Sequence, residues 1–125
     1  MYNRILVIDD SKTLRMAVKL TLEALEFEIV EAIDGLEGLN TLEALKGEVD
    51  LILLDWFMPK LNGQETLDRI MAHEGYKSIP VVMLTTATDK DRMINAIRAG
   101  ARHYITKPFT SELLLSRIVQ TLGLE

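Results

Sequence analysis

Cysteine is absent from the 125 residues. That excludes disulfide staples, thiol nucleophiles and thiolate metal sites, and it agrees with a reducing compartment. No apolar run approaches the roughly 18 residues of a membrane-spanning helix. Acids arrive early, at Asp9 and Asp10, so the N-terminus lacks the charged-then-apolar pattern of a secretory leader. A basic excess is missing as well: 14 Lys and Arg against 19 Asp and Glu leave a net charge of −5. Broad electrostatic attachment to nucleic acid is therefore not expected. Linkers and low-complexity stretches are also lacking. The expectation is a single domain over 1–125, cytoplasmic and monomeric, with neither nucleic acid nor membrane as partner.

What the sequence does contain is alternation. Five short apolar runs recur, "RILVID", "FEIVEA", "DLILLD", "PVVMLT" and "HYIT", rich in the residues that suit strands. Between them lie segments of helical spacing. Leu14, Ala17, Val18, Leu22 and Leu25 form one apolar stripe, with Ser11 placed to cap it. Leu36, Leu39 and Leu42 mark a second helix, and Leu67, Ile70 and Met71 a third. Met93, Ile94 and Ile97 mark a fourth, capped by Thr88 or Asp89, and Leu114, Leu115, Ile118, Val119 and Leu122 a fifth, entered at Thr110 or Ser111.

Strands alternating with helices imply a parallel sheet covered on both faces. The runs "ILVI", "LILL" and "VVML" are continuous, as in central strands, whereas "FEIVEA" alternates and "HYIT" is short and polar, as at edges. With right-handed crossovers the expected architecture is an α/β, flavodoxin-like (βα)5 three-layer sandwich with strand order 2-1-3-4-5.

In such sheets function gathers outside the carboxyl ends of the strands. Strand one ends in Asp9 and Asp10, strand three in Asp55, strand four in Thr85, and strand five is followed by Lys107. Each feature alone is ordinary, because acids cap helices and threonines end strands. Their convergence at one rim is not. Clustered carboxylates raise one another's pKa values and become tolerable around a divalent cation, and hard oxygen ligands suit Mg2+. Lys107 offers a point charge for a phosphate oxygen, and a carboxylate can attack phosphorus. The chemistry expected is magnesium-dependent phosphoryl transfer to Asp55.

Two enzyme-like alternatives fit less well. A haloacid-dehalogenase-type phosphatase needs a second acid two residues past the nucleophile, where Phe57 stands. A nucleotide- or flavin-binding domain wants a glycine- or hydroxyl-rich phosphate loop after strand one, and "DDSKTLR" contains no glycine.

The segments "VIDDS", "LLDWFMPKLNG", "VVMLTT" and "AGARHYITKPF" stand in order and spacing, and in them the chain resembles the receiver domain of two-component response regulators. The likeness runs from Arg4 to Leu122 and is greatest to free-standing chemotaxis regulators of the CheY type. The resemblance implies that Asp55 is the phosphoacceptor. It implies that Asp10 binds Mg2+ directly, Asp9 binds it through water, and the backbone carbonyl of Phe57 is a further ligand. Lys107 would bond the phosphoryl group, with Pro108 behind a cis peptide bond. Thr85 and Tyr104 would be the switch pair, and Gly63 would close the loop after the nucleophile. Phe57 and Ala87 depart from the common chemotaxis pattern. In the family both positions flank the path of the attacking water, so the resemblance implies that the departures bear on phosphoryl lifetime.

The resemblance further implies a histidine kinase as donor, a phosphatase, and a downstream protein such as a flagellar motor switch component. The protein would not be an enzyme in the usual sense, but a signalling protein that assists its own phosphoryl transfer and autodephosphorylation. A phosphorelay intermediate, a phosphate sink and an excised receiver of a larger regulator are the alternatives. The chain ends soon after helix five, so output is expected through protein binding. Lys90, Met93 and Ile97 share one face of helix four by spacing, and by resemblance that face lies beside Tyr104 and Arg117. Read plainly, Met93 and Ile97 pack into the core; read functionally, the patch receives a partner.

Overall fold

The computed structural model describes residues 2–86 and 90–124. Strands and helices alternate as β1 (Arg4–Ile8), α1 (Lys12–Glu23), β2 (Glu28–Ala32), α2 (Gly35–Ala44), β3 (Leu51–Asp55), α3 (Gly63–Ala72), β4 (Val81–Thr86), α4 (Lys90–Arg98), β5 (His103–Lys107) and α5 (Ser111–Leu122). The five strands form one sheet in the order β2-β1-β3-β4-β5, and every neighbouring pair is parallel. This is the flavodoxin-like order that the apolar runs imply.

Alternation along the central strands divides the core in two. Ile5, Val7, Leu51 and Leu53 face Val18 and Leu22 of α1 and Leu114 and Ile118 of α5. Leu6, Ile8, Ile52 and Leu54 face Leu42 of α2, Leu67 and Ile70 of α3 and Ala96 of α4. Both faces of β1 and β3 are thus covered, which is why these strands read as continuous apolar runs. Edge strand β2 exposes Glu28 and Glu31, tied to Arg4 at 3.3 Å and Arg15 at 3.0 Å respectively.

Side-chain caps start four of the helices. Ser11, Asp34, Asn62 and Thr110 each accept a hydrogen bond from the backbone N–H three residues on. Gly123 ends α5 in the left-handed region, with φ of 66°. The expected caps of α4, Thr88 and Asp89, lie outside the described residues.

Three helices differ from their expected stripes. In α1, Ala17 is exposed, and Arg15 is buried with Val18 and Leu22. In α2, Leu42 is buried as expected and Leu39 packs on the core, but Leu36 is exposed, and Gly35 and Gly38 are buried. The helix lies so close to β1 that a Cβ on Gly38 would stand 2.5 Å from Ile8 Cδ1 and 2.9 Å from its Cγ1. Close approach at the glycines, together with Leu42 and the partly buried Leu39, docks this helix. In α4 only Ala96 is buried, and Ile94 and Ile97 are exposed. The apolar spacing that marks this helix thus belongs largely to its outer surface.

Candidate functional site

The sheet places the charged residues by register. Ile8 pairs with Leu54 across β1 and β3, so Asp9 follows β1 beside Asp55 at the end of β3. Thr85 pairs with Thr106, and Thr86 with Lys107, which brings the end of β5 to the same rim. There the Lys107 Nζ stands 2.9 Å from Asp9 Oδ2 and 3.0 Å from Asp55 Oδ1. Asp9, Asp10 and Asp55 each offer a carboxylate oxygen, all within 4.8 Å of one another. Asp9 and Asp55 are buried and Asp10 is exposed.

Three carboxylates share one ammonium here, so negative charge is left uncompensated. Burial raises the Asp55 carboxyl above the ordinary aspartate value. The hydrogen bond from Lys107 opposes that rise, and the charge of Asp9 reinforces it. Burial pulls Lys107 down, but its hydrogen bonds to Asp9 and Asp55 outweigh that and hold it above the usual lysine value. The lysine is therefore charged throughout the physiological range. An oxygen-only donor set, one exposed acid open to solvent and an excess of negative charge fit a hard divalent ion such as Mg2+, which keeps several of its waters.

Asp9 is tightly held. Its Oδ1 accepts from the Ser11 backbone N–H at 2.8 Å, and its carbonyl accepts from Arg15 Nη1 at 2.7 Å. Arg15 is buried on α1 and also donates to Glu31. Apolar periodicity missed it. The available signal was a cation six residues past Asp9, on the same helix face as Val18 and Leu22.

The loop after Asp55 folds back on itself. Gly63 N–H donates to the Trp56 carbonyl at 2.9 Å, and a Cβ at Gly63 would lie 2.7 Å from Trp56 Cα. Only glycine fits that closure. Trp56 is half-buried against the core beneath α3 and α4. Phe57 is exposed, and the guanidinium of Arg92 lies over its ring, 4.2 Å from the centroid. The Lys107–Pro108 peptide bond is cis. Thr85 is buried, with its hydroxyl donating to the Thr86 carbonyl at 3.3 Å, whereas Tyr104 is partly exposed and lines both the surface groove on α4 and a small internal gap beside Thr85. Ala87 lies outside the described residues.

Away from the acids, Tyr104 shares an open apolar groove of about 630 Å³ with Lys90, Met93, Ile94, Ile97 and Arg98. Ile94 and Arg98 join the patch though spacing did not single them out as surface. Arg117, expected beside it, is on α5, bonded to Gln120, and is not among the described residues lining the groove.

The model of the response regulator receiver domain matches residues 5–119. The chain belongs to that family. This receiver is 37% identical over 121 residues to chemotaxis protein CheY1 of Helicobacter pylori, covering 96% of the chain and 97% of the relative. It is 36% identical to a CheY homolog of Campylobacter jejuni, covering 96% and 92%. Among solved structures, CheY4 of Vibrio cholerae is 34% identical with a TM-score of 0.87, covering 95% of the chain and 98% of that structure. The receiver domain of a Pseudomonas aeruginosa sensor histidine kinase, crystallised with magnesium coordinated in its active-site cleft, is 25% identical with a TM-score of 0.85, covering 96% and 97%. Among the described residues of this receiver, no helix is long and apolar enough to cross a membrane.

Proposed function

We propose that this receiver accepts a phosphoryl group on Asp55 from a histidine kinase and thereby switches its binding to a downstream protein in chemotaxis. The observation that carries the reading is the strand-end Asp55 bonded to Lys107 at 3.0 Å within a cluster of two further acids. A carboxylate oxygen of Asp55 forms the new P–O bond as the P–N bond of the phosphohistidine breaks and its electron pair returns to the imidazole. Lys107 sits where it can follow the transferred charge, exchanging a carboxylate oxygen for a phosphoryl oxygen. Asp10, Asp55 and the Phe57 carbonyl would hold Mg2+, with Asp9 acting through water. Bound magnesium would supply positive charge opposite the phosphoryl oxygens. Catalysis of this kind is positioning and electrostatics, so the protein acts as a signalling relay that assists its own phosphorylation and autodephosphorylation.

Once Lys107 turns toward the phosphoryl group, the charge balance at Thr85 changes. The Thr85 hydroxyl can then reorient, and Tyr104, which lines the gap beside it, can move with it. That movement would reshape the groove on α4, a two-state bias of the kind local charge changes produce. The groove supports an output by protein docking, such as to a flagellar motor switch component, over a phosphate sink, which needs no apolar surface. A phosphatase would reset the system.

The test is labelling with a phosphorylated histidine kinase or acetyl phosphate in the presence of magnesium. One hydroxylamine-sensitive phosphoryl group is expected on the parent and none on Asp55→Asn. A group located elsewhere by mass spectrometry refutes the assignment.

A further inference from the structure

Asp10 is the exposed member of the acid cluster, and its carboxylate makes no hydrogen bond or ion pair to a described residue. No partner of the side chain aims it. The backbone aims it instead. The carbonyl of the Asp9–Asp10 peptide accepts from Arg15 Nη1 at 2.7 Å, in a buried bond. The N–H of the Asp10–Ser11 peptide donates to Asp9 Oδ1 at 2.8 Å, and the Ser11 carbonyl accepts from the Arg15 backbone N–H at 3.0 Å. Peptide units are planar, so only φ and ψ of Asp10 are free between the first two. With both units pinned, the Cα–Cβ direction of Asp10 is set. Arg15 is itself anchored. It is 9% exposed, and its Nε donates to Glu31 Oε1 on β2 at 3.0 Å. A guanidinium is costly to bury unless its donors are met, and here one donor is given to a carbonyl beside the acids. By charge alone, a cation at that place would oppose the binding of another.

We propose that Arg15 is a positioning residue for the cation site: by pinning the Asp9–Asp10 peptide it fixes the direction of the Asp10 carboxylate, and so favours Mg2+ over Ca2+. The proposal rests on the reading of Asp10 as a Mg2+ ligand. Mg2+ demands near-ideal octahedral placement of its oxygens, whereas Ca2+ accepts about six to eight of them in flexible arrangements. A carboxylate free to swing therefore costs Mg2+ more than Ca2+. Partners one step removed from a metal commonly set affinity in this way, by orienting the groups that touch it. Charge and positioning predict opposite signs at Arg15. Deleting its charge would by itself tighten the binding of both cations. Releasing the peptide that carries Asp10 weakens Mg2+ selectively. The anchor on Glu31 extends the same control to β2, because a guanidinium held at both edges cannot turn away from the Asp9 carbonyl.

The experiment titrates the metal-free full chain with magnesium chloride and, separately, with calcium chloride. Trp56 fluorescence and the backbone amide shift of Asp10 report binding. Arg15→Met, similar in length and uncharged, should weaken Mg2+ about tenfold and Ca2+ by no more than about two- to threefold. Glu31→Ala removes the exposed anchor and leaves Arg15 in place. It should weaken Mg2+ about two- to threefold, and Ca2+ less. Thermal melts set a titration temperature at which each variant is folded, and where Arg15→Met does not fold, Glu31→Ala decides alone. Mg2+ affinity unchanged or tightened in folded Arg15→Met overturns the positioning role. So does unchanged Mg2+ affinity in Glu31→Ala, or an equal loss for both cations in either variant. Parent-like Mg2+ affinity in Asp10→Ala overturns the reading of Asp10 as a ligand instead, and that variant tells the two failures apart.

Discussion

Replacing Asp55 by Asn should make the metal-free protein more stable. At an effective dielectric of 20, like charges at 4.8 Å, the outer limit of the cluster, repel by about 3.5 kcal/mol, and the Lys107 pair at 3.0 Å attracts by about 5.5 kcal/mol. Asp9 is buried and its repulsion counts in full. Asp10 is exposed, and screening cuts its share to about half. Repulsion and attraction then nearly cancel, and the cost of burying an ionised carboxylate decides the sign. The Asn side chain has the same shape, keeps an acceptor for Lys107 and carries no charge. A gain of about 1–2 kcal/mol follows, or about 4–8 °C in thermal midpoint for a domain of this size.

The gain must depend on pH. The folded-state pKa of Asp55 lies above its ordinary value of 3.8, so the parent is best served by this group below that value. That contribution is lost as pH rises through the folded pKa. The advantage of Asp55→Asn should therefore be full at pH 8 and shrink as the solution is acidified. Melting curves in chelator across that range are the assay. Magnesium should narrow the gap at pH 8 by stabilising the parent more than the variant, by about 1.4 kcal/mol at ten times the dissociation constant. A variant less stable than the parent at pH 8 in chelator refutes the reasoning, because the ion pair would then outweigh both repulsion and desolvation.

The metal site and the output surface each yield a further expectation. Titration of magnesium should change the fluorescence of Trp56, which adjoins Asp55, and Asp10→Ala should weaken that titration at least tenfold; unchanged affinity would remove Asp10 from the ligand set. Met93→Glu places a charge in the apolar groove and should weaken binding of a downstream partner, while the parent should bind it more tightly with beryllofluoride on Asp55 than without. Equal affinity in all four measurements of parent and variant, with and without beryllofluoride, would mean that the groove is not the output.

The sheet was legible because its central strands are covered on both faces. Ile5 to Ile8 and Leu51 to Leu54 have no polar side to show, and unbroken apolar runs announce that arrangement. The rim was legible for a related reason: acids that interrupt such runs must stand at strand ends. Side-chain periodicity did less well on the helices. For α2 it found Leu39 and Leu42 but also selected Leu36, and it passed over Gly35 and Gly38, which let the helix approach by what they lack. For α4 it could not tell an apolar stripe facing the core from one facing solvent, since the spacing is the same. Arg15 was hidden by its charge, which is compatible with burial only because the Asp9 carbonyl and Glu31 receive it. The contact between Phe57 and Arg92 joins residues 35 positions apart in the sequence, and no local pattern encodes it.

The exposed acids on β2 also bear on how the molecule behaves in a crowded solution. An outermost strand is an open template, ready to pair with the same strand of another copy. Glu28 and Glu31 stand on the terminal strand of this sheet, so two copies meeting edge to edge would bring like charges together along the seam. Arg4 and Arg15 temper each acid within its own molecule without filling that seam. The side of the sheet farthest from β5 is thus kept from self-adhesion by charge, and a receiver present in many copies can diffuse and collide without growing its sheet.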